Sequence, residues 1–266
     1  MTRPSVASDG VRDAGRVDLL RGYEVVSEDV EWPIKIALHL LIWAVPVLGW
    51  LVVTGWLSYG ARRAVAGVRP VLLPPTFDPT TLVDYALQGL KAMVVGVVWS
   101  LPAIAFTIAT VGCVYFGVVA SLLSAATGAE STHGLSLAMI PLVVCGALVL
   151  FVAVGIVNAL LSLPATAAAL RVELSGSLAQ GFEVSGVSAM VRTVLRAWVL
   201  NLVLLVMLAW TGVFIGNVVP VIGVLAVTFL LAIARVFAAV SLYEKYLAAG
   251  GTPVPLGPVE PPVAPR

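Results

Sequence analysis

Leu90-Lys-Ala-Met-Val-Val-Gly-Val-Val-Trp-Ser-Leu-Pro-Ala-Ile-Ala-Phe-Thr-Ile-Ala-Thr-Val-Gly-Cys-Val-Tyr-Phe-Gly-Val-Val-Ala-Ser-Leu-Leu-Ser-Ala-Ala126 contains a single charged side chain, Lys91, close to its start. A membrane core about 30 Å thick needs about 20 such residues as a helix rising about 1.5 Å each. The run is longer than one straight crossing needs, yet it has no polar turn that would divide it into two. It therefore reads as one long tilted or bent helix. Pro102 is the expected kink, because proline removes a backbone donor and clashes with the preceding turn.

Further apolar runs lie on either side: Ile34 to Tyr59, Leu135 to Leu163, Trp198 to Asn217 and Val221 to Tyr243. Of the 266 residues, 60% are hydrophobic and 11% are charged. Soluble domains carry roughly 25% charged residues, so an ordinary soluble domain is excluded, and so is a disordered chain. The expected fold is all-α, a polytopic transmembrane bundle of four to five spans with cytoplasmic interfacial helices. The net charge of +1 includes no basic stripe, so no nucleic-acid partner is expected. Cys113 and Cys145 both sit inside apolar runs and read as buried, inert thiols.

Charge alternates between the connections. Gly60 to Lys91 carries Arg62, Arg63, Arg69 and Lys91, and Pro164 to Ala197 carries Arg171, Arg192 and Arg196. Thr127 to Gly134 and Gly216 to Pro220 carry no Lys or Arg, whereas Arg235 and Lys245 mark the last end. Basic connections stay in the cytoplasm, which places the C-terminus there in a multi-pass cell membrane protein. The first run conflicts with this pattern. If it spans once, Arg16, Arg21 and Lys35 lie outside; a re-entrant hairpin breaking at Pro46 keeps both its ends inside. The segment Val45-Pro-Val-Leu-Gly-Trp-Leu-Val-Val-Thr54 also reads like Val219-Pro-Val-Ile-Gly-Val-Leu-Ala-Val-Thr228, which lies at a turn between two runs. Proline followed by glycine suits a sharp change of direction.

Three regions follow. Residues 1–31 form a charged, partly disordered tail in which Asp18 to Val30 has the makings of a short surface helix. Residues 32–248 form the membrane-embedded helical domain. Residues 249–266 form a Pro-rich, solvated and disordered tail. Within the domain, Asp78-Pro79 marks a helix start. Leu178, Phe182, Val187, Met190, Val191, Val194, Leu195 and Trp198 recur largely at helical spacing, with Arg192 and Arg196 on the other face. This pattern fits a helix lying in the interface.

Several short pieces occur in order: Trp32-Pro-Ile-Lys35, Pro46-Val-Leu-Gly49, Tyr59-Gly-Ala-Arg-Arg-Ala-Val-Ala-Gly67, Pro74-Pro-Thr-Phe-Asp78, Gly89-Leu-Lys-Ala92, Leu101-Pro-Ala103, Leu163-Pro-Ala165, Gly181-Phe-Glu183 and Pro220-Val-Ile-Gly223. In order and spacing, over about 32–248, the chain resembles an uncharacterised prokaryotic membrane family, domain of unknown function 4013. The resemblance implies an integral membrane protein of a prokaryotic inner or plasma membrane. It supplies no catalytic residues.

Arg235 is the sharpest candidate site residue, since a charge at membrane depth costs a few kcal/mol or more. Snorkelling or a structural ion pair is its plainer role. Lys91 faces the same choice, with headgroup contact favoured. Asn158, Asn201 and Asn217 could line a polar path, although hydrogen bonding between helices is the commoner use. Arg192 and Arg196 are candidate headgroup contacts. Glu173 and Glu183, near Arg171 and Arg192, read as a solvated charged face. His39 and His133 have no partners at metal-ligand or triad spacing. No catalytic, cofactor-binding or metal residue is assigned, and no cofactor is expected.

The first expectation is a non-enzymatic envelope scaffold that binds membrane lipids, a membrane-protein partner or a second copy of itself. The alternative is a transporter or channel-like protein for a small solute, for which Arg235, the asparagines and the two prolines speak. No Asp or Glu sits clearly inside an apolar run, which weighs against proton-coupled transport. A membrane enzyme ranks third.

Overall fold

The computed structural model describes residues 29–74, 78–128, 133–216 and 222–261, with side chains inside the helices described except at 114, 118, 120–152, 201–229 and 235. Among the described residues all regular structure is α-helical. In chain order the helices are α1 (Trp32–Trp43), α2 (Leu48–Ala66), α3 (Pro79–Gly128), α4 (His133–Ser175), α5 (Leu178–Phe182), α6 (Val184–Gly216) and α7 (Ile222–Ala248). The chain divides into two compact units. One gathers Met1–Gly96 and Thr166–Arg266, the other is Val97–Ala165. The expected surface helix at Asp18 to Val30 lies almost wholly outside the described residues.

The run Ile34 to Tyr59 is not one helix. It breaks around Pro46 into α1 and α2, which pack on each other and on α7. The Leu48 amide donates to Pro46 O at 2.7 Å, closing a three-residue turn. Val47 at its centre has φ 63° and ψ −62°, a rare and strained geometry for a β-branched residue. Strain of this kind costs about 1–3 kcal/mol, and glycine's extra freedom in the unfolded chain offsets about 0.5–1 kcal/mol of any relief. Val47→Gly is therefore expected to raise stability by about 1 kcal/mol, read as a higher unfolding midpoint in detergent. A lower midpoint would show that Val47 is not strained.

Helix α3 starts where Asp78-Pro79 marks it. The Asp78 carboxylate accepts from the Thr81 amide at 3.0 Å and from the hydroxyls of Thr80 and Thr81. Those bonds, Thr80's foremost, hold the carboxyl below its usual range. The helix then runs through Pro102 to Gly128. Likewise α4 continues through Pro164 to Ser175, and α2 continues past Tyr59 to Ala66. The connections read from hydropathy are accordingly shorter than expected. Arg62, Arg63 and Arg171 are helix residues, because a helix does not stop where its apolar run stops.

The core of the first unit is built from Val53, Trp56 and Ala61 of α2, Val95 of α3, Leu170 and Leu174 of α4, Met190 and Trp198 of α6, and Ile233, Leu242 and Tyr243 of α7. Helices α2 and α3 touch backbone to backbone. A Cβ at Gly55 would fall 1.8 Å from Tyr85 O, and one at Gly89 would fall 2.0 Å from Leu51 O. Only glycine permits that approach.

In the expected interfacial segment, α5 is followed by α6, which bends at Val194 (φ −113°, ψ 15°). Val187, Met190, Val194 and Trp198 are buried, while Arg192 and Arg196 are exposed. In the second unit, Thr107 Oγ1 donates to Asn158 Oδ1 at 2.9 Å.

Among the described residues, two helical stretches, Pro79–Gly117 and Ala153–Ser175, are long and apolar enough to cross a membrane. Only 17% of the most apolar part of the first is buried, and 33% of the second. A core helix of a soluble protein would bury most of that surface. Here Leu101, Ile104, Ile108, Val111, Tyr115 and Phe116 of α3, and Ile156 and Leu160 of α4, are exposed. Cys113 lies on α3 and is exposed, not buried as its apolar surroundings predict. Its neighbours Val111 and Tyr115 are exposed with it.

The Pro-rich tail departs most from expectation. Over Gly250–Pro261 it has no regular secondary structure, and it is tied down at several points while Thr252, Pro253, Pro255, Leu256, Pro258 and Glu260 stay exposed. Thr252 N–H donates to Tyr246 Oη at 3.1 Å, Val254 N–H to Tyr243 Oη at 2.7 Å, and Gly257 N–H to Leu174 O at 2.8 Å. The Val254 side chain is buried. Two tyrosine hydroxyls and a helix-end carbonyl thus replace water for a segment whose prolines already favour the extended form.

Candidate functional site

The last turn of any α-helix leaves carbonyl oxygens without intrahelical donors. At the end of α4 these oxygens collect side chains from several elements. Helix α2, carried past its apolar run, brings Arg62, whose Nε donates to Glu173 O at 2.6 Å. Helix α3 brings Gln88 and Lys91 from one face. Gln88 Nε2 donates to Val172 O at 3.1 Å and Lys91 Nζ to Gly176 O at 3.1 Å. The tail supplies the Gly257 amide to Leu174 O. Cations at a helix C-terminus also complement its dipole.

Arg62 is the centre of this cluster and is only 1% exposed. Its Nη1 donates to Pro258 O at 3.0 Å, and its guanidinium lies 4.7 Å from the centre of the Tyr59 ring. Tyr59 in turn donates to Asp84 Oδ2 at 2.6 Å. A buried charge is costly without acceptors, and these contacts supply most of them. Nη2 is buried and has no hydrogen-bond partner among the described residues. Arg63, next in the chain, donates from Nε to Pro70 O at 2.8 Å and pairs through Nη1 with Glu260 Oε1 at 3.0 Å.

Two further basic residues turn inward. Arg171 donates from Nε to Gln180 O and from Nη2 to Gln180 Oε1, each at 2.9 Å, and pairs with Glu183. Of the solvated charged face expected there, Arg171 and Glu173 are buried, whereas Glu183 and Arg192 are exposed. Lys35 is 3% exposed and lies 2.6 Å from Asp29 Oδ2. Although burial opposes ionisation, that ammonium holds the Asp29 carboxyl below its usual range. His39 stacks on Trp56 at 3.6 Å, and Trp56 Nε1 donates to Leu73 O at 3.1 Å. Among the described residues no group of three or more His, Cys, Asp or Glu side chains is placed to hold a metal ion.

A family model described as a protein of unknown function, DUF4013, matches residues 38–220. The chain belongs to this family. The DUF4013 match is narrower than the resemblance traced over about 32–248. It leaves out Trp32-Pro-Ile-Lys35, most of Pro220-Val-Ile-Gly223 and the docked tail. It takes in Tyr59, Arg62, Arg63, Asp84, Gln88, Lys91 and Arg171. Neither a curated protein nor a solved structure matches the chain.

The residues named as candidates from sequence fall in different places. Lys91, half-buried, donates to Gly176 O just past the end of α4. Asn158 is taken up by Thr107. Arg192 and Arg196 are exposed on α6. Asn201 lies on α6 and Arg235 on α7, both with side chains outside the described set, and Asn217 lies outside the described residues altogether. The Arg62 cluster was missed because arginines between apolar runs read as charges of a cytoplasmic connection. The available signal was helical spacing. Asp84, Gln88 and Lys91 share one helix face, and Tyr59 stands one turn before Arg62 and Arg63.

Proposed function

We propose that this member of the DUF4013 family is an integral protein of the cell membrane. It would have four to five spans, with the α1–α2 hairpin as a re-entrant element and the C-terminus in the cytoplasm. It would work as a non-enzymatic scaffold that binds membrane lipids, and through them or directly a membrane-protein partner or a second copy. The observation that carries this reading is the outward apolar surface of α3 and α4, from Leu101 to Phe116 and at Ile156 and Leu160. Helices that expose such surface need a lipid or protein cover. α1 has 12 residues and is too short to cross a core of about 30 Å, which favours re-entry. The bend at Val194 places exposed Arg192 and Arg196 beside exposed Leu195 and Leu200, as at a boundary between headgroups and acyl chains.

Native mass spectrometry of the protein released from mixed anionic and neutral lipid tests the lipid part. A basic residue near an anionic surface contributes about 1 kcal/mol, so losing two removes about 2 kcal/mol, roughly 30-fold in affinity. Arg192→Glu/Arg196→Glu is expected to lose anionic lipid by at least that factor. Retention equal to the parent's would reject headgroup contact at the bend. The transporter reading stands second, since Asn158 Oδ1, one of the groups it would use, already accepts from Thr107.

A further inference from the structure

The docked tail ends on two arginines. Beyond Gly257 it is held by the Pro258 carbonyl on Arg62 Nη1 and by the Glu260 carboxylate on Arg63 Nη1, each at 3.0 Å. Glu260 is 66% exposed, so this ion pair sits at the surface end of the cluster, where pairs are weak. Below it, Arg62 Nη2 is buried and unpartnered. Gly257 covers the same guanidinium: a Cβ there would lie 3.4 Å from Arg62 Cζ and 2.6 Å from Ser175 O. Each Nε is served by a carbonyl elsewhere, Glu173 O for Arg62 and Pro70 O for Arg63, so the strap gives these two guanidinium groups one carbonyl and one carboxylate and leaves Arg62 Nη2 without a partner. A phosphate group carries more acceptor oxygens than a carbonyl or a carboxylate, and guanidinium groups pair with it strongly. The arginines lie inside the family match and the tail lies outside it.

We infer that Gly250–Pro261 is a releasable strap that acts as the chain's own ligand in an anion site formed by Arg62 and Arg63. A phosphate-bearing group displaces Glu260 and the Pro258 carbonyl, and displacement frees the strap. Where the phosphate is a lipid headgroup, the inference rests on the lipid-binding reading. A free phosphate has the same chemistry and does not depend on that reading.

The test uses the full chain with Cys113→Ser, Cys145→Ser and a spin label on Leu256→Cys, an exposed strap position. In phosphatidylcholine vesicles the label should be mostly immobile. Adding phosphatidylglycerol to the vesicles should at least double the mobile fraction, and Arg63→Gln should abolish the response to lipid. Gly257→Val, whose side chain cannot sit against Ser175 O, should be mobile in every medium and calibrates the readout. Glu260→Gln should lower the amount of phosphatidylglycerol needed by severalfold. Release by inorganic phosphate in neutral vesicles supports the site and makes free phosphate the ligand. Release by the lipid alone supports it and makes the headgroup the ligand. A label that stays immobile with both, while Gly257→Val is mobile, overturns the inference. So does a label already mobile in phosphatidylcholine alone, or an immobile Gly257→Val.

Discussion

Gly89→Val is expected to leave little folded protein in detergent, with a loss of at least about 3 kcal/mol. Each methyl group added at this crossing meets backbone, which cannot rotate away as a side chain can. The first would stand 2.0 Å from Leu51 O, and its counterpart at Gly55 would stand 1.8 Å from Tyr85 O. Helices α2 and α3 must then separate, and the packing around Trp56, Val53 and Tyr85 opens with them. Overpacking costs about 1–3 kcal/mol even where side chains can yield, out of a total stability of about 5–15 kcal/mol. Gly96→Val is the control on the same helix, since nothing lies within 4 Å of its added Cβ. Unfolding midpoints followed by tryptophan fluorescence should separate the two variants widely. Equal midpoints would mean that the helices do not cross at these glycines.

Arg62→Ala should cost about 4 kcal/mol. Two charge-assisted hydrogen bonds disappear, each contributing about 1.5–3 kcal/mol, and Glu173 O at the end of α4 loses its donor while still buried. Contact with the Tyr59 ring goes as well. Arg62→Lys should fall between, because a single ammonium cannot bond in both directions as the guanidinium fork does. Arg192→Ala, on an exposed position, should stay within about 0.5 kcal/mol of the parent. If Arg62→Ala and Arg192→Ala unfold alike, Arg62 does not organise this end of the bundle.

The sequence discloses the parts of this fold that depend on local chemistry. Pro46 has no amide hydrogen to continue a helix, so residue type alone marks the break there. Asp78-Pro79 announces the start of α3 for the same kind of reason. Hydropathy, by contrast, reports where lipid-compatible side chains stop and not where helices stop. Arg62, Arg63 and Arg171 therefore looked like loop charges, although α2 and α4 carry them onward into a buried cluster. Their partners are carbonyl oxygens and residues distant in the chain, and residue type does not encode such pairings. The crossing at Gly55 and Gly89 was hidden among 24 glycines, since neither stands in a distinctive spacing. The six prolines after Gly250 read as an extended chain. That the chain would lie on Tyr243, Tyr246 and Arg62 depends on where α2 and α7 place those groups. The pairing of Asn158 with Thr107 was half legible: the kind of use was, the partner was not.

The central claim is that the chain crosses the membrane with its arginine-bearing end in the cytoplasm. The most direct measurement is labelling of Glu130→Cys, in a background lacking Cys113 and Cys145, with a membrane-impermeant maleimide on intact cells. Full labelling without permeabilisation is the expected result. Labelling that appears only after the cells are opened would contradict the account.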